Sequence, residues 1–115
     1  MATDTACPVD LEDGLARAGD DREFYKELLE IFLDDVPGRM EQLRSAIAAG
    51  QADEVASVAH SIKGAAANLS ALAIRDTALN IETQARNENL SDAPALAGTL
   101  EVEIGRLTEF LRSFE

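Results

Sequence analysis

The chain has a single histidine, His60, set in the run Ala59-His60-Ser61-Ile62-Lys63-Gly64-Ala65-Ala66-Ala67-Asn68-Leu69. A solvent-facing neutral imidazole is a nucleophile. A lysine one helical turn away on the same face, as Lys63 is, neutralises an anion placed on that ring. A phosphoryl group satisfies both conditions. Other histidine chemistry lacks its partners. A lone histidine is one ligand where zinc needs several, so no metal site is expected. One outward histidine and Cys7, which falls in an N-terminal leader, make neither a Ser-His-Asp nor a Cys-His set. A metal- or haem-binding bundle needs inward-facing histidines. The plain alternative is an incidental surface histidine beside an incidental lysine.

The run reads as helix, and helical geometry places its side chains. At about 100° per residue, Ile62 lies about 200° round from His60, so an inward Ile62 leaves His60 in water. Lys63 and Gly64 lie about 60° and about 40° to either side of the ring, and Ala67 about 20° from it. Ala56 lies about 40° away and Ser57 about 60°. The expected outward stripe is Ala56, Ser57, His60, Lys63, Gly64 and Ala67. Outward positions elsewhere carry Asp, Glu, Arg and Gln, whereas here they are small apart from one imidazole and one cation. A glycine inside a helix costs about 1 kcal/mol relative to alanine. Two readings account for Gly64: clearance for another surface to approach the ring, or room for a neighbouring helix.

The elements that must position this run are also helices, because apolar residues recur at helical spacing and no period-two strand appears. Residues 1–8 read as a leader. Asp10 is placed to cap a short helix over Leu11–Ala18, with Asp13 in a weak capping box and Gly19 as the stop. A long helix is expected from Arg22 to Ala49, closed by Gly50, with Leu29, Phe32, Val36, Met40, Leu43 and Ile47 inward. Pro37-Gly38 predicts a kink or short break within it. The histidine helix runs from Ala52 or Asp53 to Leu69, with Val55, Val58/Ala59, Ile62, Ala65/Ala66 and Leu69 inward. Another spans Leu72–Asn89, with Ile74, Ala78, Ile81 and Ala85 inward. Ser91-Asp92, with Pro94 in the first turn, opens the last, whose inward residues are Leu96, Leu100, Ile104, Leu107, Leu111 and Phe114. Short loops join them. The expected fold is all-α: an antiparallel up-down four-helix bundle over residues 9–115, with the short first helix covering one end.

Composition sets the bounds. The 115 residues make one domain, and 46% hydrophobic residues suffice for a core, while 28% charged residues argue against disorder. The formal charge of -12 opposes binding to nucleic acid or anionic membranes. No apolar run is long enough to span a bilayer, and the N-terminus lacks a signal-peptide pattern. A single cysteine makes the reducing cytoplasm the default. An exterior polar except at the His60 stripe favours a monomer.

The histidine run resembles the signature of histidine-containing phosphotransfer (HPt) domains of two-component phosphorelays, a His-x-Leu/Ile-Lys-Gly sequence followed by small residues. Glu27-Leu28-Leu29-Glu30-Ile31-Phe32 is similar to the family's preceding helix, where a proline such as Pro37 is also familiar. Ala78 through Glu82 is similar to a Leu/Ile-Glu element on its following helix. The resemblance implies a four-helix bundle in which His60 is the phosphoacceptor, taking the group from a receiver-domain aspartate and passing it to another receiver. It implies that Lys63 pairs with the phosphoryl oxygens and that Gly64, with Ala56, Ser57 and Ala67 around it, gives the receiver room to dock. Glu82 matches a glutamate that, in the chemotaxis-kinase branch, hydrogen-bonds the inner imidazole nitrogen and sets the tautomer. A surface charge, or an ion pair with Lys63, is the alternative for Glu82.

No cofactor is implied for this chain, since Mg2+ belongs to the receiver. The expected protein is a stand-alone phosphocarrier, not an enzyme, with receivers and a hybrid histidine kinase as partners. One departure is Ser70, where the family has glycine after Asn-Leu; it leaves the end of the histidine helix open. A non-phosphorylated adaptor that binds and inhibits a receiver or kinase is the second reading.

Overall fold

The computed structural model describes residues 8–114. Apart from Pro8, the expected leader, with Cys7, lies outside the described residues, as does Glu115. Among the described residues there are five helices and no strand: α1 (Leu11–Arg17), α2 (Arg22–Ala48), α3 (Ala52–Asn68), α4 (Leu72–Arg86) and α5 (Ala93–Ser113). Each of α2 to α5 packs on the next and α5 returns to α2, so the four close into a bundle. Its axis is filled by Leu29, Leu43, Ile62, Ile74, Ile81, Leu100 and Leu107, all buried. Ala46 is buried where the sequence pointed to Ile47, and Ala65, Leu96, Ile104 and Leu111 are only half-buried. No helix among the described residues is long and apolar enough to cross a membrane.

Several local signals act as expected and others do not. Asp10 and Asp21 cap α1 and α2, accepting from Asp13 N–H (3.1 Å) and Phe24 N–H (3.0 Å). The capping box is not reciprocal, because Asp13 turns instead to Arg17 and Ser70. Pro37-Gly38 does not break α2: the helix is continuous, with Val36 and Met40 buried beside the proline. Core packing on both sides outweighs the one backbone hydrogen bond that proline removes. Helix α4 ends at Arg86, short of Asn89, because Glu88 takes a left-handed backbone (φ 58°). Asp92 makes no side-chain cap for α5, and the Ser91 hydroxyl donates to Asn89 instead. The exterior is less polar than expected: Phe24, Ile31, Leu79 and Val102 are exposed.

The end of α3 is where a glycine would have put it. Ser70 is left-handed (φ 56°). Its N–H reaches the Ala67 carbonyl at 3.1 Å, and Ala71 N–H reaches Ala66 at 3.0 Å. These are the two bonds of a Schellman cap. Such backbone is unfavourable for serine by about 1 kcal/mol, and α1 offsets this. The buried Ser70 donates its hydroxyl to Asp13 and accepts Asp10 N–H on its carbonyl at 2.8 Å. The Tyr25 hydroxyl donates to the adjoining Leu69 carbonyl at 2.6 Å. Helix α1 thus covers one end of the bundle, over the C-terminus of α3.

Tyr25 is fully buried and stands edge-on to Phe114, with ring centroids 5.8 Å apart. It also touches α1, since a Cβ added at Gly14 would fall 2.6 Å from the Tyr25 hydroxyl oxygen. The ring has nowhere to go without breaking its bond to Leu69. Gly14→Ala is therefore expected to destabilise the protein by about 1–3 kcal/mol through overpacking, read as a lower midpoint in urea. An unchanged midpoint would show that α1 does not clamp this end.

Candidate functional site

Helix α3 buries Val55, Val58, Ala59, Ile62 and Ala66. With Ile62 fully inward, His60 faces out and its side chain is 60% exposed. Ser57 and Gly64 are exposed beside it, and Lys63 and Ala67 are half-buried. Ala56 is not part of the exposed face, since only 3% of it is accessible. The reason is which side of α3 meets its neighbour, which periodicity does not contain. Ala56, Lys63 and Ala67 lie on one side of His60, Ser57 and Gly64 on the other. Helix α3 packs most extensively on α4, and Lys63 marks that side by meeting α4 at Glu82. Gly64 lies on the open side. A Cβ built on it would meet nothing within 4 Å, so it is not small to admit a neighbouring helix.

Glu82 projects from α4 into this seam and is buried, at 5% accessible. Between them α3 and α4 bury five alanines, Ala56, Ala59, Ala66, Ala78 and Ala85, and short side chains let helices approach closely. A carboxylate on α4 then reaches two residues one turn apart on α3. His60 Nδ1 lies 3.0 Å from Glu82 Oε2. Lys63 Nζ lies 2.9 Å from Oε1. That pair is a charge contact rather than an aligned hydrogen bond, because Oε1 has no partner in hydrogen-bond geometry. Of the readings of Glu82 left open by the sequence, burial excludes a surface charge, and the carboxylate contacts both the ring and Lys63, one on each oxygen.

A second cation was missed. Arg86, on the next turn of α4, donates Nε–H and Nη2–H to Oε2 at 3.0 and 2.8 Å. The Glu82-to-Arg86 spacing is a helical ion-pair signal, but it becomes meaningful only once Glu82 is known to point inward. On the other flank, Arg39 of α2 hydrogen-bonds both Asp35 and the Ser61 hydroxyl, tying α2 to α3 beside the site.

Burial alone would raise the Glu82 pKa, but Lys63, Arg86 and His60 outweigh it and hold the carboxyl down to about 2. An ionised carboxylate has no proton to give, so the shared hydrogen belongs to His60 Nδ1. In the neutral ring that leaves the lone pair on Nε2, on the far side from Glu82 and toward solvent. The arrangement presents a nucleophile of fixed tautomer on a convex helix face. No group of three or more His, Cys, Asp and Glu side chains among the described residues is arranged to hold a metal.

The depressed Glu82 value carries a pH signature. Its folded-state pKa lies below the ordinary 4.5, so the ion cluster stabilises the fold above about pH 4.5 and loses that contribution as pH falls toward 2. The stability difference between the protein and Glu82→Gln is expected to be greatest near neutrality and to close across that window. Thermal melts at stepped pH measure it; a constant difference down to pH 2 would contradict the assignment.

The fold and this site can be set beside known proteins. Residues 27–110 match the family model of the Hpt domain. A crystal structure of histidine-containing phosphotransfer protein B (HptB) from Pseudomonas aeruginosa PAO1 is similar, with a TM-score of 0.84 and 28% identity over 91% of each chain. The HPT domain of an Hpt sensor hybrid histidine kinase from Shewanella shares the fold, with a TM-score of 0.78 and 17% identity over 95% of this chain and 93% of that one. Comparison with curated proteins yields no match. The matched segment spans the histidine helix and both helices that flank it, and the chain belongs to the Hpt domain family, the histidine phosphotransfer domains of phosphorelays.

Proposed function

We propose that His60 is the phosphoacceptor, taking its group from an aspartyl phosphate of a receiver domain and returning it to a second receiver. One observation carries this reading. The inner nitrogen is held by a buried, ionised carboxylate at 3.0 Å while the ring stands open to solvent. The Nε2 lone pair attacks phosphorus; the N–P bond forms as the acyl O–P bond breaks, and the receiver aspartate leaves with the electron pair. Nδ1 keeps its proton, so positive charge develops on the ring, and Glu82 meets it. The second transfer reverses these steps. Phosphoryl transfer depends mainly on in-line positioning and charge neutralisation. This chain supplies the positioned ring, with Lys63 one turn away to pair with the phosphoryl oxygens; Mg2+ and its acidic ligands belong to the receiver. The protein is a carrier in this reading, and its partners are receiver domains, with a hybrid histidine kinase upstream. The adaptor reading needs only an exposed face and gives the Glu82 contact with His60 no work.

Incubation with a phosphorylated receiver should place an acid-labile label on His60, and His60→Gln should abolish it. Label retained by the variant would refute the acceptor, and regulation retained by it would favour the adaptor.

Gly64 separates docking from chemistry. Its open surroundings mean that Gly64→Ala should stabilise the helix by about 1 kcal/mol. Gly64→Gln should fold yet lower transfer from the receiver about tenfold or more, the effect of losing ~1.4 kcal/mol in the docked complex. Labelling of His60 by phosphoramidate, a small donor, should change little. Equal loss with both donors would show that Gly64 serves the ring and not the partner.

A further inference from the structure

Glu82 poses a problem for the ring it orients. A carboxylate beside an imidazole favours the imidazolium form, and an imidazolium has a proton on Nε2 where the lone pair must be. The interaction that sets the tautomer therefore works against the nucleophile unless its charge is offset. Two cations offset it, and they are not equivalent. Lys63 lies on α3, one turn from the ring, and touches Oε1. It is the cation placed to move onto a phosphoryl group. Arg86 lies on α4, on the same helix as Glu82, and grips Oε2 with two N–H groups. That is also the oxygen His60 uses, so guanidinium and ring share one acceptor. When Lys63 turns to the phosphoryl oxygens, Arg86 is the partner that stays.

We propose that Arg86 is a positioning residue of the phosphoryl-accepting site: through Glu82 it aims the carboxylate at His60 Nδ1 and offsets the charge that would draw a second proton onto Nε2. This rests on His60 as the acceptor. It deepens that reading by assigning a task to a side chain outside the histidine run. The charged groups packed about the ring are few. Lys63 shares its helix, Glu82 and Arg86 face it from α4, and Arg39 on α2 is engaged with Asp35 and Ser61. A plain helical ion pair between Glu82 and Arg86 would affect stability alone; the assigned role affects the ring.

The test uses the full chain, with Arg86→Met to remove the charge and Arg86→Lys to keep it. The readouts are the rate of His60 labelling by phosphoramidate across pH, the 15N spectrum of the ring without phosphate, and a thermal melt to confirm folding. Arg86→Met is expected to move the pH–rate profile toward alkaline pH and to lower the population of the Nδ1–H tautomer. Arg86→Lys should restore most of the profile. The proposal is overturned if the Arg86→Met profile overlays that of the parent, if its rate falls by one factor at every pH, or if Arg86→Lys behaves as Arg86→Met. Absence of label on His60 in the parent chain would instead refute the acceptor reading. The 15N spectra would then still decide whether Arg86 acts on the ring.

Discussion

A carboxylate taken out of water must find partners for its charge, or the fold loses more than it gains. Glu82 is that group here. One oxygen takes the imidazole N–H and the Arg86 guanidinium, and the other faces the Lys63 ammonium. These contacts join the two helices that carry the site and fix which ring nitrogen holds the proton. They also gather two of the chain's few cations beside one histidine, in a protein whose formal charge is -12. Orientation, tautomer and local charge all follow from this one ion and its setting.

The rest of the bundle keeps α3 still enough for that setting to matter. Its C-terminal end is held by groups from far along the chain. Asp10 and Asp13 take hold of Ser70, and Tyr25 takes hold of Leu69. Tyr25 is packed in turn by Phe114, which stacks on Phe110 of α5 at 5.5 Å. The family match begins at residue 27, so α1 lies outside it. The hydrogen bonds from Asp10 and Asp13 show how a serine serves at a left-handed position that suits glycine. In the proposed transfer such a site needs rigidity more than a cleft, because the group comes to it on another folded surface.

Much of this was legible in the residues. The five helices, most of the inward stripes and the outward His60 follow from spacing and capping residues. The departures are informative because each has a physical cause, local or tertiary. Pro37 signals a kink or a short break, and the core on either side carries α2 through it without a break. Asn87-Glu88-Asn89 signals an ending, but the left-handed residue that makes it is Glu88, so α4 stops at Arg86. Ser91-Asp92 signals a side-chain cap that does not form. Arg86 carries no signal until its neighbour Glu82 is known to be buried.

The fold class, the position of His60 on the outer face of its helix and the chemistry open to it were readable from the residues alone. Those depend on the period of a helix and on residue type, both local properties. Tertiary structure alone decided that Ala56 is covered while Gly64 is bare, that Glu82 serves His60 and Lys63 together, and that Arg86 joins them. Each of these depends on how closely α4 approaches α3 and on which side of α3 it covers. Burial and charge pairing across that seam are set by distances between helices, and no one-dimensional pattern contains a distance.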